Sequence, residues 1–172
     1  GIFEPEILRG IEQLQAELAS EVFIGHSVSI VDLIKEIARI QEGEARIPDS
    51  RKLAAQYLLY FEMSEDPSFL DTMIDLPRRT ARISATARDW GTNNFLGWYE
   101  GSRPCDPRSR CAEPFLQRID EVFGTTDGVK PGLQVKVTGG SLVAARALSR
   151  LVEDLLYSLG TAFLVITLLM MV

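Results

Sequence analysis

The last 18 residues constrain this chain most, because the run from Leu155 to Val172 contains no charged residue. At a rise of ~1.5 Å per residue, a helix over this run is ~27 Å long, close to the ~30 Å hydrocarbon thickness of a bilayer. A buried C-terminal core helix is the alternative, but such a helix normally keeps a polar stripe. Here the polar residues are Tyr157, Ser158, Thr161 and Thr167. The run therefore predicts a transmembrane helix.

The two ends of the sequence indicate whether the chain is a whole protein or a fragment. It begins at Gly1, and no signal-like segment follows. A membrane-spanning helix usually needs ~20 residues, and no polar cap follows the apolar run. We therefore expect the chain to be a fragment of a membrane protein that is cut inside its span.

All charged residues lie within residues 1–154, and the formal net charge is −6. Nucleic-acid binding needs a basic face, so this balance argues against a nucleic-acid partner. It argues equally against docking on an anionic lipid surface. About 150 residues are enough for one domain with a proper hydrophobic core.

Three short segments predict β-strands. Residues 22–28 are rich in β-branched and aromatic residues, and residues 80–88 and 133–138 alternate between apolar and polar. In residues 80–88 the apolar side chains are expected to face the core and the arginines to face water.

Apolar residues at helical spacing predict the helices. Pro5 opens the first, and Ser29 with Asp32 resembles a capping box that opens the second. Further helices are expected near residues 50–61, 69–74 and 115–123, and from Ser141 onward.

The order of elements is helix, strand, extra helices, strand, helix, strand. One more strand before Gly1 would make this a split βαβ pattern. We therefore predict an α+β, ferredoxin-like domain over residues 1–140, with a helical insertion, with its first strand missing from the chain and with residues 90–112 as an irregular loop insertion. Residues 141–172 are predicted to form an amphipathic helix that becomes a transmembrane helix and is truncated there.

Four aromatic residues lie close together in the irregular segment and are the leading functional candidates: Trp90, Phe95, Trp98 and Tyr99. Aromatic side chains of this density can line an apolar substrate path or a partner surface. The alternative is a small core inside the loop that carries no function.

Cys105 and Cys111 enclose five residues that include a turn-forming Asp-Pro pair. In an oxidising compartment they are expected to form a disulfide bond, and two free thiols are the alternative. A zinc site is disfavoured because His26 is the chain's one histidine.

No residue set predicts catalysis, a metal site or a cofactor. A Ser/His/Asp triad would have to use His26, which lies in a predicted strand, and Gly139-Gly140 is too short to cradle a phosphate. Four arginines cluster between residues 78 and 88. Pairing with carboxylates explains them, and contact with an anionic lipid headgroup is the alternative.

Several stretches together are similar to one transporter family. They are GHSVSIVDL (25–33), IPDS (47–50) followed by AQYLL (55–59), RTARIS (79–84), and VTGGS (137–141) running into LVEDLLYSL (151–159). In this order and spacing the chain resembles the RND superfamily of exporters, in particular its MMPL-like branch. Residues 90–112 depart from the family pattern.

The resemblance implies an extracytoplasmic porter domain between the first two transmembrane helices of a multi-pass inner-membrane exporter. Residues 1–154 would be periplasmic, and the proton gradient would drive export of a hydrophobic or lipid-like molecule. The partners would be the bilayer, the rest of the transporter chain and that substrate, and a homo-oligomer is compatible with this role. The family's proton-relay carboxylates lie in later helices.

Two other functions remain open on the sequence. The chain is also compatible with the extracytoplasmic sensor or interaction domain of a single-pass receptor. A membrane-tethered enzyme ranks behind both, because no catalytic constellation is present.

Overall fold

A computed structural model describes residues 1–64, 68–75, 77–101, 114–123 and 135–171. The elements are α1 (Pro5–Ala19), β1 (Ile24–Val28), α2 (Ile30–Glu42), α3 (Arg51–Ser64), α4 (Ser68–Asp71), β2 (Ser84–Ala87), α5 (Thr92–Glu100), α6 (Phe115–Phe123) and α7 (Gly140–Met170). The chain is thus mixed helical, with a small sheet and a long C-terminal apolar helix, and the predicted α+β class is confirmed at this level.

The chain divides into two compact units. The first unit comprises Gly1–Asp89 and Ile119–Leu133, and the second comprises Trp90–Arg118 and Gln134–Val172.

The sheet of the first unit has two antiparallel strands, β1 and β2. Val28 lies opposite Ser84, and Ile24 lies opposite Ala87 after a β-bulge. Two of the three predicted strands are therefore present, although β2 is shorter than residues 80–88. The alternation is largely as predicted, since Ile83 is half-buried while Arg82 and the neighbouring polar residues are exposed.

Apolar faces of α1, α2 and α3 form the core of the first unit. Leu8, Ile30, Ile34 and Leu58 are completely buried there. These residues lie at the helical spacing that the sequence predicted, so periodicity identified the core correctly.

A polar network fixes the junction between β1 and α2. The Ser29 hydroxyl accepts a hydrogen bond from Val31 N (3.0 Å), and Asp32 Oδ2 accepts one from Ser29 N (2.8 Å). This is the predicted capping box, with Asp in place of the usual Glu. Gln15 on α1 joins it: its Nε2 donates to Asp32 (2.8 Å) and its Oε1 accepts from Ser29 Oγ (2.7 Å). The network therefore also sets the position of α1.

Helix α1 has a glycine where α6 contacts it. A Cβ atom added to Gly10 would lie 2.7 Å from Cε1 of Phe123. That distance is well inside ordinary van der Waals contact, so any side chain at this position would force the Phe123 ring to shift.

Gly10→Ala is therefore expected to lower the free energy of unfolding by roughly 1–2 kcal/mol, through overpacking against Phe123. At an unconstrained helix position the same change usually stabilises a protein, by up to ~1 kcal/mol. Urea unfolding followed by circular dichroism measures the effect. Gly25→Ala is the control, since its Cβ would make only an ordinary 3.5 Å contact with the Thr86 carbonyl. Stabilisation by Gly10→Ala would contradict the packing.

A second set of polar contacts, among three side chains, joins the end of α2 to α3. The buried Tyr57 hydroxyl donates a short hydrogen bond to Glu42, which also pairs with Arg46 at 2.6 Å. The Tyr57 hydrogen bond, followed by the Arg46 guanidinium, lowers the pKa of the Glu42 carboxyl. Burial, reinforced by the same hydrogen bond, raises the pKa of the Tyr57 phenol.

Folding lowers the pKa of the Glu42 carboxyl, so this group stabilises the folded state at pH values above its ordinary pKa. The stabilisation is lost as the pH falls through the lowered pKa. Tyr57→Phe removes the largest cause of the shift. We expect the variant to be less stable at neutral pH and to lose less stability than the wild type between about pH 6 and pH 3. Urea midpoints across this range measure the difference. Tyr60→Phe is a matched control, because Tyr60 is exposed. Equal pH dependence in wild type and Tyr57→Phe would contradict the role of this hydrogen bond.

The second unit differs from the sequence prediction in two places. Residues 92–100, predicted to be irregular, form α5, which ends at Gly101 in the left-handed conformation (φ 68°). The apolar residues of α5 are nearly consecutive, so they hide its helical period. Residues 135–139, within the predicted strand at 133–138, do not form a strand. An alternating segment becomes a strand only where a neighbouring strand pairs with it, and neither of the described strands pairs with this segment.

Candidate functional site

The predicted aromatic residues of α5 lie on one face of that helix, because Phe95, Trp98 and Tyr99 have helical spacing. The Phe95 ring is 5.8 Å from Trp98 and 6.4 Å from Tyr99 between centroids. Trp98 also stacks on Phe115 of α6 at 4.5 Å with an interplanar angle of 16°. These four rings form a continuous group, here called the aromatic cluster.

Two arginines lie over the rings of the aromatic cluster. Arg118 Cζ is 5.4 Å from the centroid of Phe115 and 6.0 Å from that of Trp98. Arg146 Cζ, on α7, is 5.7 Å from the centroid of Tyr99. Both distances are typical of cation–π contacts. The aromatic cluster is therefore apolar in its interior and flanked by positive charge.

The contact with α7 also includes an ion pair. Arg146 Nε donates to Glu100 at 3.1 Å, and its Nη2 makes a shorter hydrogen bond to the same oxygen. Leu142 and Ala145, the two buried residues of α7, lie in the same part of that helix. The first turns of α7 are thus joined to α5 by apolar packing, a cation–π contact and an ion pair.

Burial raises the pKa of the Tyr99 phenol, opposed by the Arg146 guanidinium and reinforced by Glu100. The phenol is therefore neutral at physiological pH. The aromatic cluster thus offers rings, a neutral hydroxyl and two flanking cations, a set suited to binding and packing rather than to proton transfer.

Trp98 and Tyr99 are only 3% and 5% exposed, whereas Trp90 and Phe95 are half-buried. Burial of this kind matches the small-core alternative for Trp98 and Tyr99. Of the four predicted aromatic residues it leaves Phe95, and Trp90 just before α5, as those that solvent or a ligand can reach. Phe115, Arg118 and Arg146 were not predicted for this site. The amphipathic period of α6 marks Phe115 as a core residue, but nothing local in the sequence links it to α5.

Other predicted candidates lie elsewhere. His26 is exposed on β1, opposite Thr86. Among the clustered arginines Arg78 pairs with Glu62, as expected, while Arg82 and Arg88 are exposed and make no ion pair within the described part of the chain. Cys105 and Cys111, and with them the predicted disulfide, lie outside the described residues.

Helix α7 has 31 residues, which corresponds to ~46 Å. All of its residues from Arg150 onward are exposed, including the uncharged section after Asp154. It is long and apolar enough to cross a membrane, and none of its most apolar section is buried. Within the described chain this section is thus not a buried core helix, and its length and composition are compatible with membrane association.

Comparison of the chain with protein-family models, with curated proteins and with solved structures found no match. Function is therefore argued from the sites themselves.

Trp98→Ala is expected to destabilise the second unit by about 3–5 kcal/mol, because it removes a buried ring that stacks on Phe115. Trp98→Phe keeps a ring there and should cost clearly less. Unfolding of the detergent-solubilised protein, followed by near-ultraviolet circular dichroism, measures both variants. Unchanged unfolding of Trp98→Ala would mean that the ring is not part of the packed interior, and would favour a substrate path at this position.

Proposed function

We propose that this chain is the extracytoplasmic, substrate-handling domain of a proton-driven exporter of the RND superfamily, of the MMPL-like branch, and that it moves a hydrophobic or lipid-like molecule. Residues 1–154 lie on the periplasmic side of the inner membrane, and the second half of α7 spans the bilayer. The domain binds and passes its substrate without bond chemistry, and proton coupling takes place elsewhere in the transporter.

The observation that carries this proposal is the two-part character of α7. Its first half has charged residues and buries Leu142 and Ala145, whereas its second half has no charge and is exposed throughout. A helix that passes from a folded domain into lipid has this division, since each Arg or Asp at the bilayer centre costs about 2.5–3.5 kcal/mol.

The sheet is compatible with the ferredoxin-like fold of the proposed porter domain. In a split βαβ fold the second and third strands are antiparallel neighbours, and β1 and β2 pair in this way. The sequence stretches that resemble the family include most of β1 and reach the first residue of β2.

The aromatic cluster is the proposed place of substrate contact. Its interior rings hold α5 in position. The half-buried Phe95, together with the half-buried Trp90 that precedes α5, presents apolar surface that a lipid-like molecule can contact. A hydrophobic substrate needs apolar area rather than directed hydrogen bonds, which fits a site built from rings.

The test is transport by the whole transporter in proteoliposomes that carry an imposed proton gradient and a fluorescent lipid probe. We expect gradient-dependent export that a protonophore abolishes. Phe95→Ala should lower the export rate about two- to tenfold, as the loss of an aromatic contact of about 0.5–1.5 kcal/mol implies.

Phe69→Ala is the matched control, since it removes an equally large, 47% exposed ring from the first unit and should leave export unchanged. Export that continues in the presence of the protonophore, or the absence of any export, would contradict the proposed function as a proton-driven exporter. A signalling domain encoded after one span would instead favour the receptor alternative.

A further inference from the structure

The solvent side of the small sheet has a row of polar and positively charged side chains. Arg82, Ser84, Thr86 and Arg88 are exposed. They occupy every second position of an extended segment, so their side chains point to the same side. His26 is also exposed and lies opposite Thr86 on β1, and directly opposed residues of an antiparallel pair share a side of the sheet. We call these five side chains the basic row.

Backbone hydrogen bonds hold both ends of the basic row in place. Arg82 N donates to the Met73 carbonyl at 2.7 Å, and Arg88 N donates to the Phe23 carbonyl at 2.8 Å. On the other side of the same segment, Ile83 packs against the core. Six steps of ~3.3 Å separate the two arginines, so their backbones are ~20 Å apart. The basic row is therefore an extended array that the sheet fixes in position.

The positive charge of the basic row differs from the acidic character of the surrounding chain. Residues 1–89 contain 10 lysines and arginines but 16 aspartates and glutamates. Four of those arginines lie within residues 77–88, a stretch that contains no acid. Neither Arg82 nor Arg88 forms an ion pair with any residue that the structure describes. Their charge is therefore available to an anion from outside the sheet.

The chemistry of the basic row favours carboxylates that are carried on an extended chain. A guanidinium binds a carboxylate through two parallel N–H donors, and the hydroxyls and the imidazole between the arginines add further donors. A small anion at one arginine is too far from the other, because their backbones are ~20 Å apart. An anionic membrane would also come near the acidic helices, which would repel it. An extended polypeptide avoids both problems, since acids at alternate positions repeat every ~6.6 Å along one side.

We propose that the basic row docks an extended acidic segment of a partner protein, whose carboxylates pair with Arg82 and Arg88. The row is polar and is stable in water without a cover, so the segment binds and leaves reversibly. Fixed positive charge on an acidic unit also orients the approaching segment toward the sheet. The interaction does not depend on the proposed export function.

Fluorescence anisotropy tests the docking, with the full chain in a non-ionic detergent and a labelled peptide of about eight residues that alternates Glu and Thr, enough to span the ~20 Å row. Arg82→Gln and Arg88→Gln are each expected to weaken binding about two- to fivefold, as the loss of an exposed ion pair implies. Raising the salt concentration should weaken binding further. Lys52→Gln is the matched control, because it removes an exposed positive charge from α3 that likewise has no ion pair in the described chain.

The pattern of acids gives a second measurement. A peptide of the same composition with its Glu residues in one block reaches only one arginine and should bind at least about twofold more weakly. Equal binding of the two peptides, or equal loss of binding in Lys52→Gln, would mean non-specific attraction and would overturn the proposal. Competition by inorganic phosphate or by soluble short-chain phosphatidylglycerol that exceeds competition by the unlabelled peptide would also overturn it. The first result would assign the row to a small anion, and the second to lipid headgroups.

Discussion

The exposed apolar surface of α7 is the constraint on which the rest of the second unit depends. From Leu155 onward every described side chain of this helix lies outside the protein core, and its uncharged surface is stable only in contact with lipid or with another apolar surface. Hydrophobic transfer contributes about 25 cal/mol per Å² of buried apolar area.

The contacts at the start of α7 are strong enough to join that helix to α5. Arg146 is held by Glu100 and by the Tyr99 ring, and Leu142 and Ala145 are buried in the same turns. A surface ion pair alone contributes at most about 1 kcal/mol, so the apolar packing and the buried rings carry most of the attachment. The second unit therefore consists of a small aromatic core packed against the first turns of the long helix α7.

Local patterns predicted much of this structure and failed where the determinants are not local. The helical spacing of Leu8, Ile34 and Leu58 and the Ser29–Asp32 capping box are short-range signals, and the structure contains both. The expected strand at residues 133–138 depended on a pairing partner, and its described part forms none. Helix α5 was missed because its apolar residues are nearly consecutive and hide the helical period. The contacts with Phe115 and α7 that bury them are not local.

The same distinction applies to the candidate site. The sequence identified the aromatic residues but could not separate a packed core from a binding surface, because both use the same side chains. Burial separates them: Trp98 and Tyr99 are interior, while Phe95 remains half-exposed beside them. Arg146 lies about 13 Å along the helix from Leu155, where the uncharged section begins. Because an α-helix is stiff over such a distance, a displacement of the uncharged section would move Arg146 and with it the edge of the aromatic cluster at Tyr99. In the exporter proposed above, this is a physical route from the membrane to the proposed substrate-contact surface.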